Sequence, residues 1–190
     1  RKITRGETVT GPLSCAQCHD ASNVITGKET EWAASLHGTG TVYLRGTEAG
    51  CAGCHSGNAF AERIAAGLNP DQVLNGDADP TRQDCRACHD IHETYTMQDF
   101  ALKTTAPVVL YAVPGSTFDG GEGNLCVNCH QPRRDAPVAE AGVIKGISSH
   151  WGPHHGPQSS MILGVAGAGV TGTPSGHYKG VPNTCVTCHM

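Results

Sequence analysis

One short pattern, Cys-x-x-Cys-His, occurs five times in this chain of 190 residues. All ten cysteines fall inside these motifs, so the sequence has no cysteine for another purpose. Two residues three positions apart lie on the same face of a helical turn, so both thiols of a motif are expected to point to one side. The motifs are Cys15, Cys18 and His19; Cys51, Cys54 and His55; Cys85, Cys88 and His89; Cys126, Cys129 and His130; and Cys185, Cys188 and His189.

Three kinds of chemistry use paired cysteines of this kind. Structural zinc sites combine two pairs into a set of four ligands, which does not suit five motifs that each carry their own histidine. A disulfide framework needs no histidine after the second cysteine. Covalent haem attachment uses all three residues, because the thiols add to the vinyl groups of one haem and the histidine binds its iron as the proximal ligand. The sequence therefore predicts five haem c groups.

The composition agrees with a chain whose core comes largely from its cofactors. Leu, Ile, Val and Phe number 33, about 17% of the residues, which is low for a packed globular core. A formal net charge of −4 is too small for this to indicate disorder. Five apolar macrocycles would supply the missing core. With 25 Gly and 11 Pro, we expect a mostly irregular, coil-rich fold with short helices and little strand, wrapped around the haems.

Local patterns predict only a few regular elements. Short helices are expected over residues 29–36, 59–66 and around 82–95, and one strand over residues 105–113. No stretch is long enough to separate two domains, so residues 1–190 are expected to form a single pentahaem cytochrome domain.

The histidines outside the motifs indicate the second iron ligands. The chain has eleven histidines, of which six are not proximal. Five irons need five more ligands to be six-coordinate, and irons with two histidine ligands have no open position for a substrate. The sequence therefore predicts an electron-transfer protein rather than an enzyme. Methionine is the rival ligand, but we expect Met97, Met161 and Met190 to contribute to packing instead.

Sequence position assigns most of these distal ligands. His92 follows His89 by three residues, so on a helix the two would share a face and could not bind one iron from opposite sides. His154 and His155 lie between two prolines, and in an extended chain they would point to opposite faces and reach two haems. The predicted distal ligands are His37, His92, His154, His155 and His177, with His150 as a substitute.

Charge and hydropathy restrict the partners and the location. Ionised propionates of five haems would take the net charge to about −14, which argues against nucleic-acid binding. The apolar stretches at residues 108–113 and 161–169 are too short to cross a bilayer, so no transmembrane segment is expected. Haem attachment to this motif takes place outside the cytoplasm. The chain begins with Arg1, which we interpret as the start of a processed product.

Four stretches resemble the extracellular multihaem c-type cytochromes of metal-reducing microbes, including those that polymerise into cytochrome nanowires. They are CRACHDIHETY at residues 85–95, GNLCVNCHQPR at 123–133, WGPHHGPQSSMILG at 151–164 and the closing GHYKGVPNTCVTCHM. The resemblance covers most of residues 85–190. It implies a chain of stacked haems with two histidine ligands each, and in this family the Pro-His-His-Gly-Pro-Gln string supplies distal ligands, here His154 and His155.

The family also implies an extracellular or cell-surface location and electron delivery to external acceptors or redox-partner cytochromes. A head-to-tail filament of identical copies is the expected assembly. Within it, the haem near Cys185 would pack against the next subunit, and His37 would bind an iron of a neighbour. Two alternatives remain: a periplasmic pentahaem relay to a terminal reductase, and a reductase of oxyanions. Such reductases often replace a motif histidine by lysine, whereas all five motifs keep histidine here.

The motif count predicts the haem load. Because thioether bonds are covalent, the denatured protein should keep a mass increase equal to five haems in intact-protein mass spectrometry. A variant with Cys185→Ala and Cys188→Ala serves as the control and should retain four. A wild-type protein that carries four or fewer would contradict the prediction.

Overall fold

The computed structural model describes residues 24–151 and 155–190. These residues form two compact units. The first comprises the described residues up to Leu68 together with Val73–Lys103, and the second comprises Asn69–Gln72 and Thr104–Met190. The first motif and His154 lie outside the described residues. A single pentahaem domain over residues 1–190 stays a prediction.

Irregular chain, turns and short helices make up most of the described part, which confirms the expected coil-rich fold with little strand. Wrapping around haems stays a prediction. The α-helices are α1 (Val24–Ala34), α2 (Leu36–Thr39), α3 (Ala52–His55), α4 (Gly57–Ala65), α5 (Cys85–Cys88), α6 (Asn124–Val127), α7 (Gln158–Leu163), α8 (Gly176–Gly180) and α9 (Cys185–His189). Four 3-10 turns cover Val42–Thr47, Pro70–Gln72, Met97–Phe100 and Gly121–Gly123.

The first two helices occupy the region where residues 29–36 were expected to be helical. The helix is longer than predicted, and Ser35 divides it from α2. The Ser35 hydroxyl donates to the carbonyl of Trp32 at 2.7 Å and accepts from the amide of Gly38 at 3.3 Å. A serine that bonds to the backbone on both sides favours a helix boundary over a helix interior. The helix predicted over residues 59–66 is confirmed as α4.

The prediction of a helix around residues 82–95 is wrong except for the single turn of α5. Asp84 caps α5 by accepting from the amides of Arg86 and Ala87 at 2.9 and 3.2 Å. The chain then leaves the helical conformation at His89, which forms an isolated antiparallel bridge with Leu102. Pairing with a distant strand-like segment therefore replaces the helical hydrogen bonds that the sequence pattern suggested.

A strand was expected over residues 105–113 in what is the second unit, but only two of these residues form one. Strand β1 (Val108–Val109) pairs antiparallel with β2 (Thr117–Phe118), with Val108 opposite Phe118. The chain turns back at Leu110, whose amide donates to the carbonyl of Ser116 at 3.0 Å. A second hairpin joins β3 (Ala139–Glu140) to β4 (Val143–Ile144). The buried cluster of this unit comprises Val108, Leu110, Val113, Phe118, Val127 and Leu163.

Large apolar side chains are exposed more often than they are buried. Ten hydrophobic residues are buried in the described part, whereas fourteen large ones are exposed. Leu36 is 85% exposed beside His37, and Met161 is 67% exposed in α7. Within residues 24–151 and 155–190, no helix is long and apolar enough to cross a membrane.

Candidate functional site

The four described motifs share one local geometry. In each of the second, third and fourth motifs the histidine amide donates to the carbonyl of the first cysteine at 2.9 Å, and the fifth motif is the helix α9 itself. This bond closes a single helical turn and brings the two cysteines to the same side of it. The pairs are His55 with Cys51, His89 with Cys85, and His130 with Cys126.

Buried contacts hold the second motif in the first unit. Ala52 and Gly53 are buried at the start of its turn. The guanidinium of Arg63, which is only 2% exposed, donates to the carbonyls of Gly53 at 2.9 Å and Leu68 at 3.1 Å. Gln83 donates to the carbonyl of Cys54 at 2.9 Å. Arg63 and Gln83 thus satisfy the carbonyls of Gly53 and Cys54, which the single-turn helix leaves open.

The third motif is more accessible at its first cysteine than at its second. Cys85 is exposed, and Cys88 is partly buried. Burial raises the pKa of the Cys88 thiol to about 11, and it also raises the pKa of Cys85, where the carboxylate of Asp84 adds to the effect. Both groups are therefore thiols, and not thiolates, at neutral pH.

The histidine of this motif has a fixed orientation. Nδ1 of His89 lies 2.9 Å from the carbonyl oxygen of Phe100. A carbonyl can only accept, so Nδ1 carries a proton, and in the neutral imidazole Nε2 then has the lone pair. Metal-binding histidines commonly use one ring nitrogen for such a bond and the other for the metal. The arrangement fits His89 as an iron ligand through Nε2.

His92 lies in a tight loop, and not on a helix with His89. Its φ angle is 67°, and its exposed imidazole stacks on Tyr95 with ring centroids 5.7 Å apart. His89 and His92 therefore do not share a helix face, and the prediction that they would is wrong. Asp99 accepts hydrogen bonds from this loop. Burial alone would raise the pKa of Asp99, but bonds from Thr94, Tyr95 and His92 outweigh burial and hold the pKa below its usual value.

The fourth motif packs against the segment that carries His155. The amide of Ser159 in α7 donates to the carbonyl of His130 at 3.2 Å. Gly156 has a φ of +64°, and a Cβ at this position would lie 2.3 Å from the carbonyl oxygen of Gln131. The ring of His155 contacts that of His150 at 5.4 Å. The structure therefore places the predicted distal ligand His155 and the substitute candidate His150 close to this motif.

The two residues before the fifth motif form hydrogen bonds with the turn that precedes the fourth motif. Asn183 and Thr184 have φ angles of 53° and 41°, and the buried Thr184 hydroxyl donates to the carbonyl of Gly120 at 3.1 Å. The Asn183 side chain accepts from the amide of Glu122 at 3.3 Å. These contacts bring the thiols of Cys185 and Cys126 together. A hydrogen bond from Cys126 lowers the pKa of Cys185 to about 6.

The two remaining described candidates, His37 and His177, are both exposed. His37 lies in α2, next to the exposed Leu36, and partial desolvation of its imidazole lowers its pKa. His177 lies at the start of α8, where its amide donates to the Ser175 hydroxyl at 3.2 Å. His37 and His92 belong to the first unit, and His177 belongs to the second.

The described residues have donors suited to haem. Each of the four described motifs contains two cysteines and one histidine in a single turn, as thioether attachment and axial ligation require. In the second unit, Arg133 and Arg134 line an open cavity of about 750 Å³ together with Lys145 and Trp151, and guanidinium groups suit haem propionates. In the part of the chain that the structure describes, no three His, Cys, Asp or Glu side chains form a cluster that could hold a metal ion.

Comparison with protein-family models, with curated proteins and with solved structures found no match to this chain. The class of the protein therefore depends on the motifs, their geometry and the resemblance of residues 85–190 described above.

The contact between Gly156 and the fourth motif can be tested by adding a single methyl group. Gly156→Ala should destabilise the protein by more than the cost of a left-handed alanine, which is about 1–2 kcal/mol, because its Cβ would displace Gln131. Gly115→Ala is the matched control, since Gly115 has a φ of +80° and no atom within 4 Å of a Cβ. Denaturant unfolding measures both. Equal losses of stability would contradict a close approach at Gly156.

Proposed function

We propose that the protein transfers electrons through five covalently bound c-type haems, each with two histidine ligands. The observation that carries this proposal is the single turn that recurs in the four described motifs and contains two cysteines and one histidine each time. When bound, the haems supply one-electron chemistry. The first motif is assigned the same role from its sequence alone.

The residues of the chain have distinct roles in this proposal. Cysteine pairs attach the haems, and His19, His55, His89, His130 and His189 are the proximal ligands. The bond from His89 to Phe100 supports this role, because it engages Nδ1 and leaves Nε2 for the iron. His37, His92, His154, His155 and His177 are the proposed distal ligands, with His150 as substitute. The contact between Cys126 and Cys185 supports close placement of two attachment points, which short-range electron transfer needs.

Exposed apolar side chains also support bound haems. A side chain such as Leu36, which is 85% exposed, gains stability when an apolar surface covers it. Its neighbour His37 is a proposed iron ligand, so a haem bound by His37 would lie against Leu36. This haem would belong either to the same chain or to a neighbouring subunit.

We further propose that the chain works outside the cytoplasm, extracellularly or at the cell surface, and that identical copies assemble head to tail into a filament. Exposure of Cys188 and His189 supports a contact of the fifth motif with a neighbour, and exposure of His37 supports ligation across that contact. Electrons would then pass between subunits to redox partners or external acceptors. A periplasmic relay remains the alternative outcome of the assembly test below.

Ligation by two histidines predicts a specific spectroscopic result. The wild-type protein should be low-spin in both redox states, and the native reduced form should not bind carbon monoxide, because no iron has an open position. Absorption and electron paramagnetic resonance spectra measure the spin state, and a carbon monoxide titration counts open sites. The acid-denatured protein is the positive control. Stoichiometric uptake of carbon monoxide by the native protein would favour a reductase instead.

Assembly depends on His37 if this residue binds the iron of a neighbour. His37→Ala should abolish filaments in electron micrographs and leave a soluble, folded subunit with one high-spin haem. Glu29→Ala is the control, because Glu29 is exposed in α1 and has no proposed role as a ligand. Unchanged filaments with one high-spin haem per subunit would exclude ligation across the interface. A wild-type protein that stays monomeric at high concentration would favour the periplasmic relay.

A further inference from the structure

One 3-10 turn, Met97–Phe100, contacts two histidines of the first unit through consecutive residues. The carbonyl of Phe100 accepts from Nδ1 of His89 at 2.9 Å. The preceding residue, Asp99, accepts from the backbone amide of His92 at 3.0 Å. One residue of the turn thus fixes the ring of a proximal ligand, and the other fixes the backbone of a proposed distal ligand.

The carboxylate of Asp99 is buried and fully occupied by this loop. Its Oδ1 accepts from the amide and the hydroxyl of Thr94, both at 2.7 Å. Its Oδ2 accepts from the amides of His92 and Tyr95, both at 3.0 Å. Asp99 is only 6% exposed. Bonds to an ionised acceptor are the stronger ones, so these four bonds hold residues 92–95 in one conformation.

The conformation that Asp99 holds is an unfavourable one for the residues in it. His92 and Tyr95 have φ angles of 67° and 54°, a region that residues other than glycine rarely adopt. Such a conformation persists only where the surroundings determine it. The rings of His92 and Tyr95 are stacked, with an angle of 12° between their planes, so the side chain is restrained as well as the backbone.

We propose that Asp99 is a positioning residue, which holds the loop of His92 so that its imidazole is already directed for binding a haem iron. This inference rests on the proposed function, because it assigns the loop to a haem ligand. A ligand on a mobile loop loses conformational freedom when it binds, and a preorganised ligand loses less. Removal of the Asp99 bonds should therefore weaken the bond between His92 and iron without removing His92 itself.

Three variants separate positioning from charge and from ligand loss. Asp99→Asn is nearly isosteric, but an NH2 group replaces one of the two carboxylate oxygens. This group cannot accept hydrogen bonds, so the backbone amides that bond to that oxygen lose their acceptor. His92→Ala removes the imidazole. Glu93→Gln is the matched control for charge, since it removes one carboxylate next to His92 from an exposed position. Mass spectrometry counts the covalent haems, and carbon monoxide titration with electron paramagnetic resonance reports the ligands of each iron.

All three variants should keep five covalent haems. His92→Ala should open one iron per subunit to carbon monoxide, and added imidazole should restore the low-spin spectrum. Asp99→Asn should affect the same haem to a smaller extent, through a partial high-spin fraction or altered g-values, and imidazole should again reverse any high-spin fraction. Glu93→Gln should keep the wild-type spin states and g-values.

Other outcomes overturn the inference. It fails if Asp99→Asn is spectroscopically identical to the wild type, or if His92→Ala opens no iron. Disturbance of all five haems by Asp99→Asn would indicate a general structural role instead. If Asp99→Asn does not fold, Thr94→Val replaces it as the test, because it removes the hydroxyl donor and leaves the three amide bonds to Asp99. A spectroscopic change confined to the His92 haem supports positioning. No change refutes it.

The proposed function can fail separately from this inference. A wild-type protein without covalent haem would refute both. A wild-type protein with five low-spin haems and an unaffected Asp99→Asn variant would leave the proposed function intact and refute the role of Asp99 alone.

Discussion

A hydrogen bond between residues four positions apart underlies the arrangement of the motifs. It joins the histidine amide to the carbonyl of the first cysteine, at 2.9 Å in the second, third and fourth motifs. Because this bond closes only one turn, each of the four described motifs depends on contacts outside the turn to hold it. These differ from motif to motif: Arg63 beside the second, Asp84 and Phe100 beside the third, Ser159 beside the fourth, and Thr184 ahead of the fifth.

The second constraint is the small number of apolar residues. The buried cluster of the second unit has six hydrophobic residues, and fourteen large apolar side chains are exposed in the described part of the chain. Hydrophobic burial is the main favourable contribution to folding, so a chain with so little of it needs another source of buried apolar surface. The proposed haems would supply this surface, with exposed residues such as Leu36 in contact with them.

Sequence reasoning succeeded where structure is local. The coil-rich fold follows from composition, and α4 follows from its own residues, with Ser56 as a cap. Prediction from the sequence failed where distant segments of the chain meet. The helix expected around residues 82–95 ends at Cys88, because His89 pairs with Leu102 and Asp99 binds the amides of the next loop. No periodicity in residues 89–95 indicates that a carboxylate several positions later determines their backbone.

The candidate site shows the same division. Motif residues can be recognised from spacing alone, since each motif is contiguous. Partners of the motifs cannot, because Phe100 contributes a carbonyl group that every residue type has. The contact of Cys126 with Cys185 could not be predicted from the sequence either. It joins the thiols of two distant motifs, and it depends on the unusual backbone conformation of Asn183 and Thr184. Only the surplus of histidines pointed to the loop of His92.

The attachment of the fifth motif to the turn before the fourth has a consequence for folding kinetics. Thr184 bonds to Gly120 across 64 positions, and Asn183 bonds to Glu122 across 61. The bonds of Asp99 in the first unit span only four to seven positions. Contacts of high sequence separation require closure of a long loop and form slowly, whereas local ones form fast. We therefore expect the loop of His92 to form early in folding and Cys185 to reach Cys126 late.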